Sequence, residues 1–254
     1  MTPNITEKYL QYHVISLLTQ LGYIFISREG NVEFRNNRLS EVIFKDVLLE
    51  QLQKINSFEY KGVEYKFSPK NITRAVEELN APLNEGLSIA NQKITDKLIL
   101  GTSYEEELSD GNRKSFSLRY IDFDNLRNNL FHVTEEFTVN RQITNEPDKT
   151  RRPDLVLFIN GIPFAVIELK KSSVEASKGI EQILNSQKDG EIPHLFKYIQ
   201  ITLAGNNFDP RYGTTSTPNK FYSLWENEDN PTLTYLIPDR EPSQLDKTVY
   251  GLFV

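Results

Sequence analysis

Apolar residues recur at helical spacing near the start of the chain, where Leu10, Val14, Leu17, Leu18 and Leu21 form one stripe. This predicts a helix over 6–21, with Thr6 placed to cap it and Gly22 to stop it. A short strand follows over Tyr23 to Ser27. Helical spacing returns over 40–55, with Ser40 as cap and Val42, Ile43, Val47, Leu48 and Leu52 inward, then over 71–79 and 84–99. Residues 30–110 therefore read as a mainly helical elaboration. From Ser115 the period changes to two. Phe116, Leu118 and Tyr120, then Phe131, Val133, Phe137 and Val139, alternate with polar neighbours and predict strands.

The most apolar stretch comes next. Leu155-Val-Leu-Phe-Ile159 and Ile162-Pro-Phe-Ala-Val-Ile167 flank Asn160-Gly161, the signature of a hairpin. Beyond it, Ser172 or Ser173 can cap a helix to about Ser186, with Val174, Ile180, Ile183 and Leu184 inward. Tyr198 to Ala204 reads as a strand and 205–220 as a loop rich in Gly, Asn, Thr, Ser and Pro. The order strand, strand, helix, strand predicts an α/β fold in which a mixed central sheet is flanked by helices. We expect one domain over 1–254 with its core at 115–204. The apolar last six residues, Val249 to Val254, suggest a fragment of a longer protein.

The hairpin carries the candidate chemistry. Its first strand opens on Asp154, and its second ends on Glu168 and Lys170. Strand alternation puts Glu168 and Lys170 on one face, with Ile167 and Leu169 on the other. Charges at the rim of a buried hairpin are costly unless paired or bound to metal. Two carboxylates with an ammonium suit a Mg²⁺ site for phosphodiester hydrolysis. Arg151 and Arg152 are placed to contact a phosphate, or to pair with Asp154 as an ordinary salt bridge. The register raises a difficulty. A strict two-residue turn sets Ile159 against Ile162, and hence Asp154 against Ile167, with Glu168 on the wrong face. The site thus requires a three-residue loop or a bulge. The bland alternative is a polar strand face, since an E-x-K triplet is common.

Composition narrows the chemistry further. With 254 residues, 38% hydrophobic and 25% charged, the chain can bury a sizeable core. It has no cysteine, which excludes disulfides, thiolate zinc sites and a cysteine nucleophile. His13, His132 and His194 are too widely spaced to suggest a histidine metal site. No phosphate-binding G-x-x-x-x-G-K-[ST] loop occurs. The net charge of −6 argues against a protein that coats polyanions but not against a nuclease, which needs its own acids. No apolar run reaches membrane-spanning length, and the first residues lack a secretory signal. We expect a cytoplasmic protein with no membrane partner. Tyr198, Tyr212 and Trp225 could stack on bases, although core packing or a subunit contact is the simpler use of an aromatic.

Pro153-Asp154 with Glu168-Leu169-Lys170 resembles the PD-(D/E)xK nuclease motif. The longer string from Arg151 to Lys170 resembles the N-terminal nuclease domain of the restriction (R, HsdR) subunit of type I restriction-modification enzymes. Thr6-Glu7 with Leu10, Leu18 and Gly22-Tyr23, Phe131 to Phe137, Ile192 to Tyr198 and Tyr212-Gly213-Thr214 are similar to that family too. The resemblance implies a restriction-endonuclease-like core and Mg²⁺-dependent cleavage of double-stranded DNA. It makes Asp154 and Glu168 metal ligands and Lys170 the catalytic lysine. It also implies a downstream ATP-driven translocase that this chain lacks, and assembly with methylation (M) and specificity (S) subunits. Glu7 becomes either a further acid of the site or a charge favouring the helix dipole. The family's Gln-x-x-x-Tyr pattern is half kept. Gln182 is present and can position DNA or Lys170, or simply decorate the helix surface; Ser186 stands where tyrosine is expected. Two competing functions are a non-cleaving nuclease-fold module that docks on a motor and DNA, and an unrelated nuclease acting on RNA or in repair.

Overall fold

A computed structural model of the chain describes residues 6–143, 149–226 and 230–254; the first five residues, read above for a secretory signal, lie outside them. The first helix, α1, is Glu7–Gln20, and the Thr6 hydroxyl accepts from the Tyr9 N–H at 3.2 Å as its cap. Next come β1 (Ile24–Ile26), α2 (Arg28–Glu33), α3 (Lys45–Ile55), β2 (Phe58–Tyr60), β3 (Val63–Tyr65), α4 (Pro69–Glu78) and α5 (Leu87–Leu100). The chain continues through β4 (Thr102–Glu107), β5 (Arg113–Leu118), β6 (Phe131–Glu135), β7 (Val139–Asn140) and β8 (Thr150–Arg151). The predicted hairpin is β9 (Leu155–Ile159) and β10 (Ile162–Leu169). It is followed by α6 (Ala176–Ser186), α7 (Pro193–Phe196), β11 (Ile201–Gly205), β12 (Arg211–Gly213), α8 (Pro231–Leu236) and α9 (Gln244–Phe253).

Among the described residues, one six-stranded sheet runs in the order β1-β6-β9-β10-β11-β12. β1 lies parallel to β6, and β10 parallel to β11, while the other neighbours are antiparallel, so the sheet is mixed as expected. Strand alternation gives each face its own core. On one face Val156, Phe158 and Val166 pack with residues of α3 to α7. On the other, Leu155, Leu157, Ile167 and Leu169 pack with Leu10, Val14 and Leu18 of α1 and Val249 of α9. The hairpin at the centre of the sheet is thus buried on both sides, which explains its near-continuous apolar sequence.

Several predicted boundaries are corrected. α3 starts at Lys45, not at Ser40, because Phe44 is drawn onto the hairpin: its ring stacks on Phe158 at 4.2 Å and its N–H donates to the Gly161 carbonyl at 2.9 Å. That approach needs glycine, since a Cβ at position 161 would lie 2.6 Å from the Phe44 oxygen. α6 begins at Ala176 after Glu175, and Ser172 instead donates to the Asn207 side chain at 2.9 Å. Residues 58–65 and 102–118 form two antiparallel hairpins, β2-β3 and β4-β5, within and just beyond the stretch read as mainly helical. The loop at 205–220 contains the edge strand β12.

Candidate active site

The register problem posed by the sequence is resolved inside β10. Asn160 and Gly161 both take positive φ, 52° and 82°, so the turn itself has two residues. Ile162 pairs with Ile159 and Pro163 with Phe158, but then Ala165 pairs with Leu157 and Ile167 with Leu155. A bulge between Pro163 and Ala165 has absorbed one residue. Proline suits the place, having no N–H to give to the ladder. Phe164 and Ala165, adjacent in sequence, consequently pack toward the same cluster. Carrying the shifted register one step further sets Asp154 across from Glu168. The Asp154 Oδ2 accepts from the Leu169 N–H at 2.8 Å, which fixes the aspartate against the end of β10.

Glu168 is 2% exposed, and Lys170, one residue past β10, brings its Nζ to 3.7 Å from the Glu168 Oε2. The Lys170 N–H donates to the Gly205 carbonyl at 2.8 Å, so neighbouring β11 holds its backbone. α6 supplies Gln182, whose Nε2 donates to the Glu168 Oε2 at 2.8 Å. The helix reaches the strand because Gly179 has no side chain; a Cβ there would meet Ala204 at 3.1 Å and the Glu168 carbonyl at 3.4 Å. Gln182 is thus tied to the acid, not merely a surface residue. Ser186, where the resemblance implies a tyrosine, lines one cleft together with Glu168 and Gln182.

The acids disfavour each other's charge. Burial pushes the Glu168 carboxyl well above the ordinary carboxylate range, and the neighbouring Asp154 pushes it further. Asp154 is raised as well, chiefly by burial, although the Leu169 N–H and the Lys170 ammonium oppose the shift. Glu7 adds to the negative field on both acids, which places its charge on the site's side of α1. It does not complete a cluster: among the described residues, no group of three or more His, Cys, Asp or Glu is gathered for a metal. The donor set is two hard carboxylates in a negative field that a divalent cation would relieve. Such a set matches Mg²⁺, which is commonly held by one or two carboxylates and keeps several waters. Asp154 and Glu168 are the residues that can hold it.

Arg151 and Arg152 do not pair with Asp154. The Arg151 Nε lies 2.8 Å from the Glu191 Oε2, and the Arg152 Nε lies 2.6 Å from the Glu136 Oε2. Both arginines, with Pro153, Lys178 and Gln182, line a cleft of about 310 Å³ that opens onto Glu168. Larger clefts occur between α1 and residues 236–240, about 650 Å³, between α4 and the β4-β5 hairpin, about 440 Å³, and beside α3 and α4, about 410 Å³, but none of these contains Asp154 or Glu168. Tyr198 is buried, with its hydroxyl donating to the Leu79 carbonyl at 3.0 Å, and Tyr212 meets Trp225 edge-on at 5.6 Å. Packing is what these aromatics do.

Sequence reasoning missed Gln11. This α1 residue is 3% exposed, and its Nε2 donates to the Asp154 Oδ1 at 2.9 Å. The signal was present: a glutamine beside Leu10 within the buried stripe, one helical turn after Glu7.

Residues 4–221 match the family model described as the type I restriction enzyme R protein N terminus. A protein of Methanocaldococcus jannaschii, provisionally named the MjaIXP type I restriction enzyme endonuclease subunit, is 28% identical over 216 residues, 84% of this chain and 20% of the relative. A second from that organism, provisionally named the MjaVIIIP endonuclease subunit, is 27% identical over 88% of this chain and 20% of its own length. The type I restriction enzyme EcoprrI endonuclease subunit of Escherichia coli is 26% identical over 89% of this chain and 67% of its own length. The chain thus spans about a fifth of the length of the two Methanocaldococcus jannaschii relatives. Matched over most of its length, with a mixed sheet and helices on both faces, the chain belongs to the family of type I restriction enzyme R protein N-terminal domains.

Proposed function

We propose that this chain is the Mg²⁺-dependent nuclease domain of a type I restriction enzyme and cuts double-stranded DNA. The observation that carries the reading is the bulge in β10, which turns Asp154 and Glu168 toward each other beside Lys170. A fold that needed only a stable hairpin would gain nothing from opposing a buried acid, Glu168, and a half-buried one, Asp154. When bound, Mg²⁺ supplies Lewis acidity to the scissile phosphate and lowers the pKa of a water. Asp154 and Glu168 bind and orient the cation, and Gln182 fixes the Glu168 carboxylate. Lys170 places a compact positive charge where negative charge grows on the phosphate. Arg151, Arg152 and Lys178 bring positive charge to the cleft for the flanking phosphates; DNA would compete with Glu191 and Glu136 for the arginines and with Glu181, which also lines the cleft, for the lysine. None of these groups reads base edges, so sequence choice belongs to a specificity subunit, with a methylation subunit in the same assembly. ATP hydrolysis belongs to the rest of the subunit. The described residues contain no helix long and apolar enough to cross a membrane, and a cytoplasmic setting goes with DNA as substrate.

The test is Lys170→Ala in the full assembly. Cleavage is expected to fall by about 10²-fold or more, with DNA-stimulated ATP hydrolysis retained. Unchanged cleavage would reject the reading and favour a docking module that couples a motor to DNA.

A further inference from the structure

We propose that Gln11 is a positioning residue of the metal site: its amide nitrogen orients Asp154, and its amide oxygen accepts a hydrogen bond from a water in the shell of the bound cation. The inference rests on the nuclease reading and extends it to α1. The Gln11 side chain is almost wholly buried, and its Nε2 lies 2.9 Å from the Asp154 Oδ1. Its Oε1 is buried and has no hydrogen-bond partner. On the same amide carbon as Nε2, that oxygen necessarily lies beside the aspartate. A buried acceptor without a donor is unfavourable, and in native proteins it commonly marks a missing water or ion. The orientation is not arbitrary. The Nε2–Oδ1 hydrogen bond fixes the amide with its nitrogen toward Asp154, and so holds Oε1 in the unpartnered position. On its helix Gln11 packs beside buried Leu10, Val14 and Ile15, with the exposed Glu7 and Lys8 one turn before it. Lying beside Asp154, Oε1 is placed for a donor held close to the two acids. A divalent cation that keeps several waters brings strongly polarised O–H donors to that place. Outer-shell partners of this kind set metal affinity.

The test is calorimetric titration of Mg²⁺ into the 254-residue chain, with Tm recorded with and without the metal. Gln11→Leu removes both ends of the amide; Gln11→Glu loses the donor and keeps an acceptor oxygen. The wild type is expected to show one saturable site, and Gln11→Leu to bind about tenfold more weakly or worse. Gln11→Glu should bind at wild-type strength or tighter, while melting below the wild type until metal is added, because a third acid then faces the pair. If Gln11→Leu changes Tm but binds Mg²⁺ like the wild type, Gln11 only packs and the inference is overturned. Weaker binding by Gln11→Glu than by the wild type overturns the role of the oxygen. Should Gln11→Leu fail to fold, the comparison of Gln11→Glu with the wild type decides alone. A wild type with no saturable site overturns the nuclease reading itself, which separates that failure from failure of the inference.

Discussion

The β9-β10 hairpin has two polar ends, and they are built on opposite principles. At the turn, Asn160 is fully buried and every polar atom of its side chain is paired. Its Oδ1 accepts from the Leu130 N–H at 2.8 Å, and its Nδ2 donates to the Tyr120 carbonyl at 3.0 Å and the Asn129 Oδ1 at 2.8 Å. Its own N–H donates to the Leu130 carbonyl at 2.7 Å. At the other end, two carboxylates oppose each other in low dielectric and a neighbouring amide oxygen has no partner. The same strands thus carry a satisfied network that stabilises the fold and an unsatisfied one that costs stability, a cost the proposed cation would relieve. Polar burial by itself says little about function; whether the buried groups are satisfied says much more.

The largest expected effect on stability is at the turn. Asn160→Ala leaves the Leu130 N–H and the Tyr120 carbonyl without their side-chain partner and puts alanine at a φ of 52°. Urea unfolding should show a loss of about 2–4 kcal/mol; a loss below about 0.5 kcal/mol would mean the network is idle. At the other end the sign reverses. Glu168→Gln removes one of two opposed charges and should raise the stability of the metal-free chain at pH 8 by about 1 kcal/mol. A loss comparable to that of Asn160→Ala would show that the acids are not in conflict.

The smallest effect is a change of slope with pH. Because Glu168 and Asp154 have folded pKa values above their ordinary range, the folded state holds more protons than the unfolded one in that window. Their contribution is fully present below the ordinary carboxyl range and is lost as pH rises through the elevated folded values. Buried His132 and His194 act the other way. Burial lowers each to about 4, so stability rises with pH from there to the ordinary imidazole range. The acids' share is therefore read as the difference between wild type and Glu168→Gln across pH in chemical denaturation. That difference should shrink when saturating Mg²⁺ is present; a difference indifferent to Mg²⁺ would count against the metal.

Much of the site was legible because a hairpin imposes arithmetic. Strand period and turn length together demanded one extra residue between Asp154 and Glu168, and Pro163 marks where it went. The less legible parts have physical reasons. β2 and β3 are three residues each and none of these is fully buried, so their alternation is faint; Phe58 stacked on Phe116 at 4.0 Å holds them to the neighbouring hairpin. β4 reads Thr-Ser-Tyr-Glu-Glu-Glu; Arg113 pairs with Glu105 and Glu107 across the ladder, while Glu106 accepts from the Ser68 N–H and hydroxyl and the Asn71 side chain, partners distant in sequence. Ser40 had the right chemistry to cap a helix, but the docking of Phe44 overrode that local preference. Gln11 lay in plain view as a polar residue in an apolar stripe, yet its partner is 143 positions away.

Manganese soaked into crystals of the chain and located by its anomalous scattering is the most direct measurement. The account predicts a single peak between Asp154 and Glu168, within reach of both carboxylates and beside Lys170. Ordered crystals with manganese bound elsewhere, and nothing between those two side chains, would contradict it.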